Sequence, residues 1–164
     1  DSVFEGKNVC LFAYGQTGSG KSYSMLGKQD DPGIIPRTCR AIFEAIEKTK
    51  DDPSLEYKVD IQVVEIYCET VNDLLTDREK WPTHGHKPRF TPNQGYIVDT
   101  TRQPCLRYED IVAAFQFADK NRSIASHKLN RESSRAHTIY TITFERQRKI
   151  SAGAKETLTS RLNL

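Results

Sequence analysis

No run of about 18 apolar residues occurs anywhere in the chain, so a helical membrane span is not indicated. Asp1-Ser-Val-Phe-Glu5 has neither the basic cluster nor the apolar core of a secretory signal. Cysteine is sparse. Cys10, Cys39, Cys68 and Cys105 form no C-x-x-C pair, which argues against a zinc ribbon or a disulfide framework. They read as reduced, mostly buried thiols, with Cys10 and Cys68 in apolar, strand-like stretches. His84 and His86 form His-Gly-His on a proline-rich loop, and no third metal ligand accompanies them. Internal repeats and low-complexity tracts are missing as well. Asn121-Arg-Ser123 fits the glycan-acceptor pattern, but beside reduced thiols it reads as a chance match. The chain begins on Asp rather than Met and ends in Ser160-Arg-Leu-Asn-Leu164, which reads as a strand in progress. Both ends read as cut.

The residues present describe one globular domain: 164 residues, of which 37% are hydrophobic and 28% charged. Charge is uneven. Residues 120–164 carry ten Lys or Arg against three acids, within a chain of net charge +2. A basic segment of this kind suits nucleotide phosphate, nucleic acid or an acidic protein surface.

Periodicity gives a coarse order of elements. Asn8–Tyr14 reads as a strand buried on both faces. A glycine-rich turn at 15–20 leads into a short helix, and a loop at 27–33 leads into a second helix near 36–49, with Pro36 in its first turn and Ile42, Phe43 and Ile46 as its stripe. Tyr57–Tyr67 is rich in β-branched and aromatic residues and reads as a long strand. Asn72–Leu75 reads as a helical turn, and 77–95 as irregular loop with a small hairpin ending at Tyr96–Val98. A helix is expected over 108–125, with Ile111, Val112, Phe115 and Ala118 on one face. A polar loop at 126–137 precedes a half-buried strand that places Tyr140, Ile142 and Phe144 together. A turn at 151–154 returns the chain as a strand from Thr157.

Gly15-Gln-Thr-Gly-Ser-Gly-Lys-Ser22 fits G-x-x-x-x-G-K-[ST]. Glycines let the backbone turn its N–H groups inward to phosphate oxygens. Lys21 supplies a cation for the β and γ phosphates, Ser22 a hydroxyl for Mg²⁺, and the following helix its positive end. Thr49-Lys-Asp-Asp52 matches the letters of a guanine-specificity motif, but it stands at a helix end just before a turn and reads as coincidence.

Around this loop, Phe12-Ala-Tyr-Gly-Gln-Thr-Gly-Ser-Gly-Lys-Ser-Tyr-Ser-Met25 resembles the kinesin motor version. Gly33-Ile-Ile-Pro-Arg37, Glu65-Ile-Tyr-Cys-Glu-Thr-Val-Asn-Asp-Leu-Leu75 and Asn130-Arg-Glu-Ser-Ser-Arg-Ala-His137 follow in the family's order. The resemblance covers essentially the whole chain, 1–164. It implies an α/β P-loop NTPase fold, a mostly parallel-to-mixed sheet flanked by helices, here incomplete. The first strand, switch II, its tubulin-contacting helix and the neck linker are expected to be missing, leaving a poor ATPase of low stability with exposed sheet edges.

The resemblance also implies roles. Gly15, Gln16, Thr17, Gly18, Ser19, Gly20, Lys21 and Ser22 would hold the phosphates of ATP. Tyr23 would lie near the adenine, and Ser22 and Ser134 would reach Mg²⁺. Asn130 and Ser133 would order the attacking water, and Arg135 would pair with a switch II acid. Ala136 stands where the family has Ser, which removes one hydroxyl. The implied partner is the microtubule, with no nucleic acid, and Lys87 and Arg89 are candidates to touch tubulin. A coiled-coil dimer and a cytoplasmic, cytoskeletal setting follow from the same resemblance. The competing readings are a different P-loop enzyme such as a nucleotide kinase, and a nucleotide-binding module that docks on microtubules with weak or no ATPase.

Overall fold

The computed structural model describes residues 2–28, 30–92, 95–129, 135–150 and 153–164. After a 3₁₀ turn at Ser2–Glu5 come β1 (Val9–Cys10), α1 (Lys21–Met25), α2 (Ile34–Glu47), β2 (Leu55–Tyr67) and β3 (Thr70–Asp73). A 3₁₀ turn at Arg78–Lys80 precedes β4 (Pro88–Thr91), β5 (Gly95–Val98), β6 (Gln103–Pro104), α3 (Tyr108–Leu129), β7 (Ala136–Lys149) and β8 (Lys155–Asn163). The larger sheet has the order β1-β8-β7-β2-β3, with β6 on β2, and β4 and β5 form a separate hairpin. β1 is parallel to β8 and β7 is antiparallel to it, so the sheet is mixed, as the sequence leads one to expect. By packing, the chain divides into two compact units: residues 1–61, 104–112 and 141–164, and residues 62–103 and 113–140.

In the first unit the core is built from Ile35, Cys39, Ile42, Val59, Ile61, Cys105, Ile111, Ile142, Phe144 and Leu162, all buried. α2 starts two residues earlier than expected. Gly33 precedes it in extended conformation, and Pro36 falls within the first turn, where its missing N–H has no intrahelical partner to lose. Its buried stripe is Ile35, Cys39 and Ile42, while Phe43 and Ile46 are half-buried. In the β7–β8 hairpin, Ile142 faces Leu162 and Phe144 faces Ser160. The Phe144 ring packs edge-on to Phe4 at 5.3 Å and against Tyr57 at 5.8 Å.

The segment 8–14 departs from expectation. Only Val9 and Cys10 are strand. Leu11 adds one bond, its N–H donating to Asn163 O at 2.9 Å. Phe12 is 78% exposed and Tyr14 95%, and Cys10 is exposed rather than buried. β1 is the outermost strand, and no described residue covers these side chains. The basic charge of residues 120–164 is partly matched in place: Glu56 pairs with Lys155 at 3.0 Å and Lys149 at 3.3 Å.

In the second unit, β2 turns back through Cys68 and Glu69, both at positive φ (46° and 64°), and pairs with β3 from Tyr67↔Thr70 to Val64↔Asp73. Two consecutive left-handed residues are the two-residue hairpin turn whose twist suits paired strands. Asn72 and Asp73 therefore end a strand instead of forming the expected helical turn, and Cys68 is an exposed turn residue. The buried Asp73 carboxylate accepts the N–H of Leu75 at 2.9 Å and of Thr101 at 2.7 Å, and the Thr76 hydroxyl at 3.2 Å. Asn121 of α3 donates its amide to Leu74 O at 2.9 Å and Thr76 O at 3.1 Å. It is buried, so it is no glycan acceptor. α3 extends to Leu129, past the expected end at 125, and β7 already begins at Ala136. The β4–β5 hairpin matches the one expected before Val98.

Candidate functional site

The residues that fit a phosphate site run from the turn after β1 into the first turn of α1. Three glycines set the loop's path: Gly15 (φ 158°), Gly18 (φ 82°) and Gly20 (φ 88°). The last two occupy the left-handed region that an L side chain enters only with strain. A Cβ on Gly15 would come within 2.4 Å of Ser19 Oγ, so the loop closes on itself there. Ser19 N–H donates to Gln16 O at 3.2 Å and completes the turn.

Lys21 closes the ring. Its Nζ donates to Gly15 O and to Gln16 O, each at 2.7 Å. An ammonium carries three donors, so with two on the loop's own carbonyls one remains for an anion. α1 follows at once, and its first internal bond runs from Ser24 N–H to Gly20 O at 2.9 Å. The amides of Lys21, Ser22 and Tyr23 therefore belong to a helix's unpaired first turn. With only five residues in α1, the axial dipole adds less than a long helix would. Ser22 is exposed beside Lys21. Unpaired first-turn amides, one ammonium and one exposed hydroxyl form a donor set that fits a polyphosphate with its divalent cation.

Tyr23 is 49% exposed. Its hydroxyl donates to the Asp31 carboxylate, and Arg37 binds the other oxygen of Asp31 at 3.0 Å through Nη2 and Pro32 O at 2.6 Å through Nε. That hydrogen bond, aided by the carboxylate's charge, raises the Tyr23 phenol above its usual range. Asp31 escaped sequence reasoning. The signal available was an acid and a base on either side of a Gly-bounded turn, and Arg37 was visible only as the end of Gly33-Ile-Ile-Pro-Arg37.

Asn130, Ser133 and Ser134, expected to order water and reach the metal, lie outside the described residues. Arg135 is exposed and immediately precedes β7, and Ala136 opens that strand. Thr49-Lys-Asp-Asp52 is absorbed by local structure. The Thr49 hydroxyl bonds Ile46 O at 3.1 Å and Tyr57 Oη at 2.9 Å, and Asp52 caps Ser54 N–H at 2.9 Å. Among the described residues no group of three His, Cys, Asp or Glu could hold a metal, His84 and His86 included. Arg89 is engaged by Asp99 through two bonds of 2.8 and 3.0 Å, which leaves Lys87 as the uncommitted candidate of that pair.

The family model "Kinesin motor domain" matches residues 1–164. Kinesin-like protein unc-104 of Caenorhabditis elegans is 42% identical over 154 residues, covering 90% of this chain and 9% of that protein. Kinesin-like protein KIF1A of Rattus norvegicus is 41% identical over 149 residues, covering 89% and 8%. The chain thus spans about a tenth of the length of these curated relatives. Among solved structures, a KIF14 dimer in a two-heads-bound state with AMP-PNP on a microtubule superposes with a TM-score of 0.83 at 36% identity, covering 98% of this chain and 45% of that one. A fast kinesin superposes with a TM-score of 0.85 at 30% identity, covering 99% and 45%.

Proposed function

Because the chain belongs to the kinesin motor domain family, we propose that it is the nucleotide-gripping part of an ATP-driven microtubule motor. The observation that carries this reading is the closed loop at 15–22, with Lys21 seated on the carbonyls of Gly15 and Gln16 at 2.7 Å. The loop Gly15 to Ser22 holds the phosphates, with the first-turn amides of Lys21 and Ser22 as its donors. Lys21 directs its remaining donor at the β and γ oxygens, and Ser22 and Ser134 supply hydroxyls for Mg²⁺. When bound, Mg²⁺ would spread the charge that builds on the transferring phosphoryl group. Asn130 and Ser133 orient the attacking water. Arg135 forms an ion pair with a switch II acid, and that pair couples nucleotide state to motion. The Tyr23 ring lies where the base extends from the phosphates.

The partner under this reading is the microtubule, in the cytoplasm, with the motor paired through a coiled coil elsewhere in the protein. The KIF14 structure, solved with AMP-PNP on a microtubule, supports it by likeness. Ala136 favours a second reading, a module that binds microtubules and nucleotide but cycles weakly, because a hydroxyl is missing from the switch segment.

Steady-state ATPase of the full-length protein, with and without microtubules, tests both. The motor reading expects stimulation by microtubules and release from them on adding ATP. Tight microtubule binding without stimulation favours the docking module. No binding of ATP at all rejects both.

A further inference from the structure

The Tyr23–Asp31–Arg37 chain of contacts does more than decorate the surface. Tyr23 stands two residues beyond Lys21, and its backbone is fixed within α1. Its hydroxyl is held at the other end by Asp31. A ring pinned at both ends loses its torsional freedom, yet it remains 49% exposed.

The anchor itself is braced. Lys28 N–H donates to Asp31 O at 2.9 Å, Asp31 N–H returns to Lys28 O at 3.2 Å, and Gly33 N–H donates to Leu26 O at 2.9 Å. A Cβ on Gly27 would fall 2.2 Å from Asp31 O, and one on Gly33 would fall 2.5 Å from Met25 O. The loop that carries Asp31 is therefore stitched to the end of α1 with no room for a side chain at either glycine. Arg37 orients the carboxylate from behind, with side chains of the pair 65% and 56% exposed. Exposed ion pairs add little to stability. What this one does is orient the carboxylate that holds the Tyr23 hydroxyl.

We propose that Asp31 is a positioning residue for base recognition: through the Tyr23 hydroxyl it holds the ring as a preset stacking face for the purine of a nucleoside triphosphate. This rests on the reading of residues 15–22 as a triphosphate site. Presetting the ring removes the cost of ordering it on binding, and stacking on a held aromatic face tolerates any flat base. The effect therefore belongs to the base and not to the phosphates.

Calorimetric titration of the full-length protein with MgATP and, separately, with Mg-tripolyphosphate tests this. Asp31→Ala and Tyr23→Phe should each weaken MgATP binding about 3- to 10-fold. The double variant should be no weaker than the worse single, because both remove one interaction. Asp31→Asn, which keeps an acceptor oxygen, should restore most of the affinity, and tripolyphosphate affinity should not change in any variant. Asp31→Ala binding MgATP as tightly as wild type overturns the inference. So does an equal loss toward both probes, which would mean that the loop has merely deformed. Wild-type protein that binds neither probe overturns the triphosphate reading, and the inference falls with it.

Discussion

Two motif-bearing stretches of this chain behave in opposite ways. At 15–22 every motif residue but half-buried Lys21 is exposed, and Gly18 and Gly20 take positive φ. At 65–75 the strand residues carry the burial: Glu65, Asn72 and Asp73 are 2–3% exposed and Leu74 is fully covered, while Cys68 and Glu69 stay exposed in the turn. There Asp73 turns its carboxylate inward and collects three donors, and Asn121 satisfies the carbonyls that follow, while Nδ2 of buried Asn72 has no partner among the described residues. A family signature can thus mark a site or a piece of architecture, and burial tells which.

The sharpest way to break this contrast is Asp73→Ala. It leaves three donors to find new partners at a buried position, so unfolding free energy should fall by about 3 kcal/mol, measured by urea denaturation. Next is Asn121→Ala, which strips donors from Leu74 O and Thr76 O and should lower stability by about 1.5 kcal/mol in the same assay. Gly20→Ala, on the exposed side of the comparison, forces an alanine to φ 88° and should lower stability by only about 1 kcal/mol. Nucleotide affinity should fall with it, whereas the two buried variants should keep their affinity wherever they remain folded. If Gly20→Ala proved neutral in both assays, the claim that φ dictates this loop would be lost.

The last effect is silent at neutral pH and appears only at high pH. Burial, reinforced by neighbouring Cys105, pushes the Cys39 thiol up to about 12. A thiol in the unfolded chain ionises near 8.5. Above that value the unfolded state sheds its proton first, so stability falls as pH rises toward 12, by at most about 1.4 kcal/mol per pH unit for this thiol. Cys39→Ser should flatten the slope of stability against pH above 9 and leave it unchanged between 6 and 8. The exposed Cys10 and Cys68 should alkylate in the folded protein, while Cys39 and Cys105 wait for unfolding.

What could be read from the letters was local. The glycine-rich turn at 15–20, the long strand β2 and the alternation of Tyr140, Ile142 and Phe144 each depend on spacing within a dozen residues, and the structure has a turn, a strand and a buried face at those positions. What could not be read was conformation or cover. Nothing in Tyr-Cys-Glu-Thr says that Cys68 and Glu69 take positive φ, so Asn72–Leu75 looked helical and became strand and Asx turn. Asn8–Tyr14 is apolar enough to be buried, but hydrophobicity does not name the element that would lie over it, and Phe12 and Tyr14 are bare. The bond from Tyr23 to Asp31 crosses a loop that no periodicity describes. The expected water-ordering residues Asn130 and Ser133 and the metal ligand Ser134 came from resemblance alone and fall outside the described residues.

The claim on which the functional account depends is that Lys21 and its encircling backbone hold a triphosphate. Titration of MgATP into the full-length protein and its Lys21→Ala variant tests it most directly. The account predicts one saturable site in the wild type, weakened at least about 100-fold in the variant by loss of a charge-assisted contact, with unfolding free energy changed by less than about 0.5 kcal/mol. Equal affinity in the two proteins would contradict it.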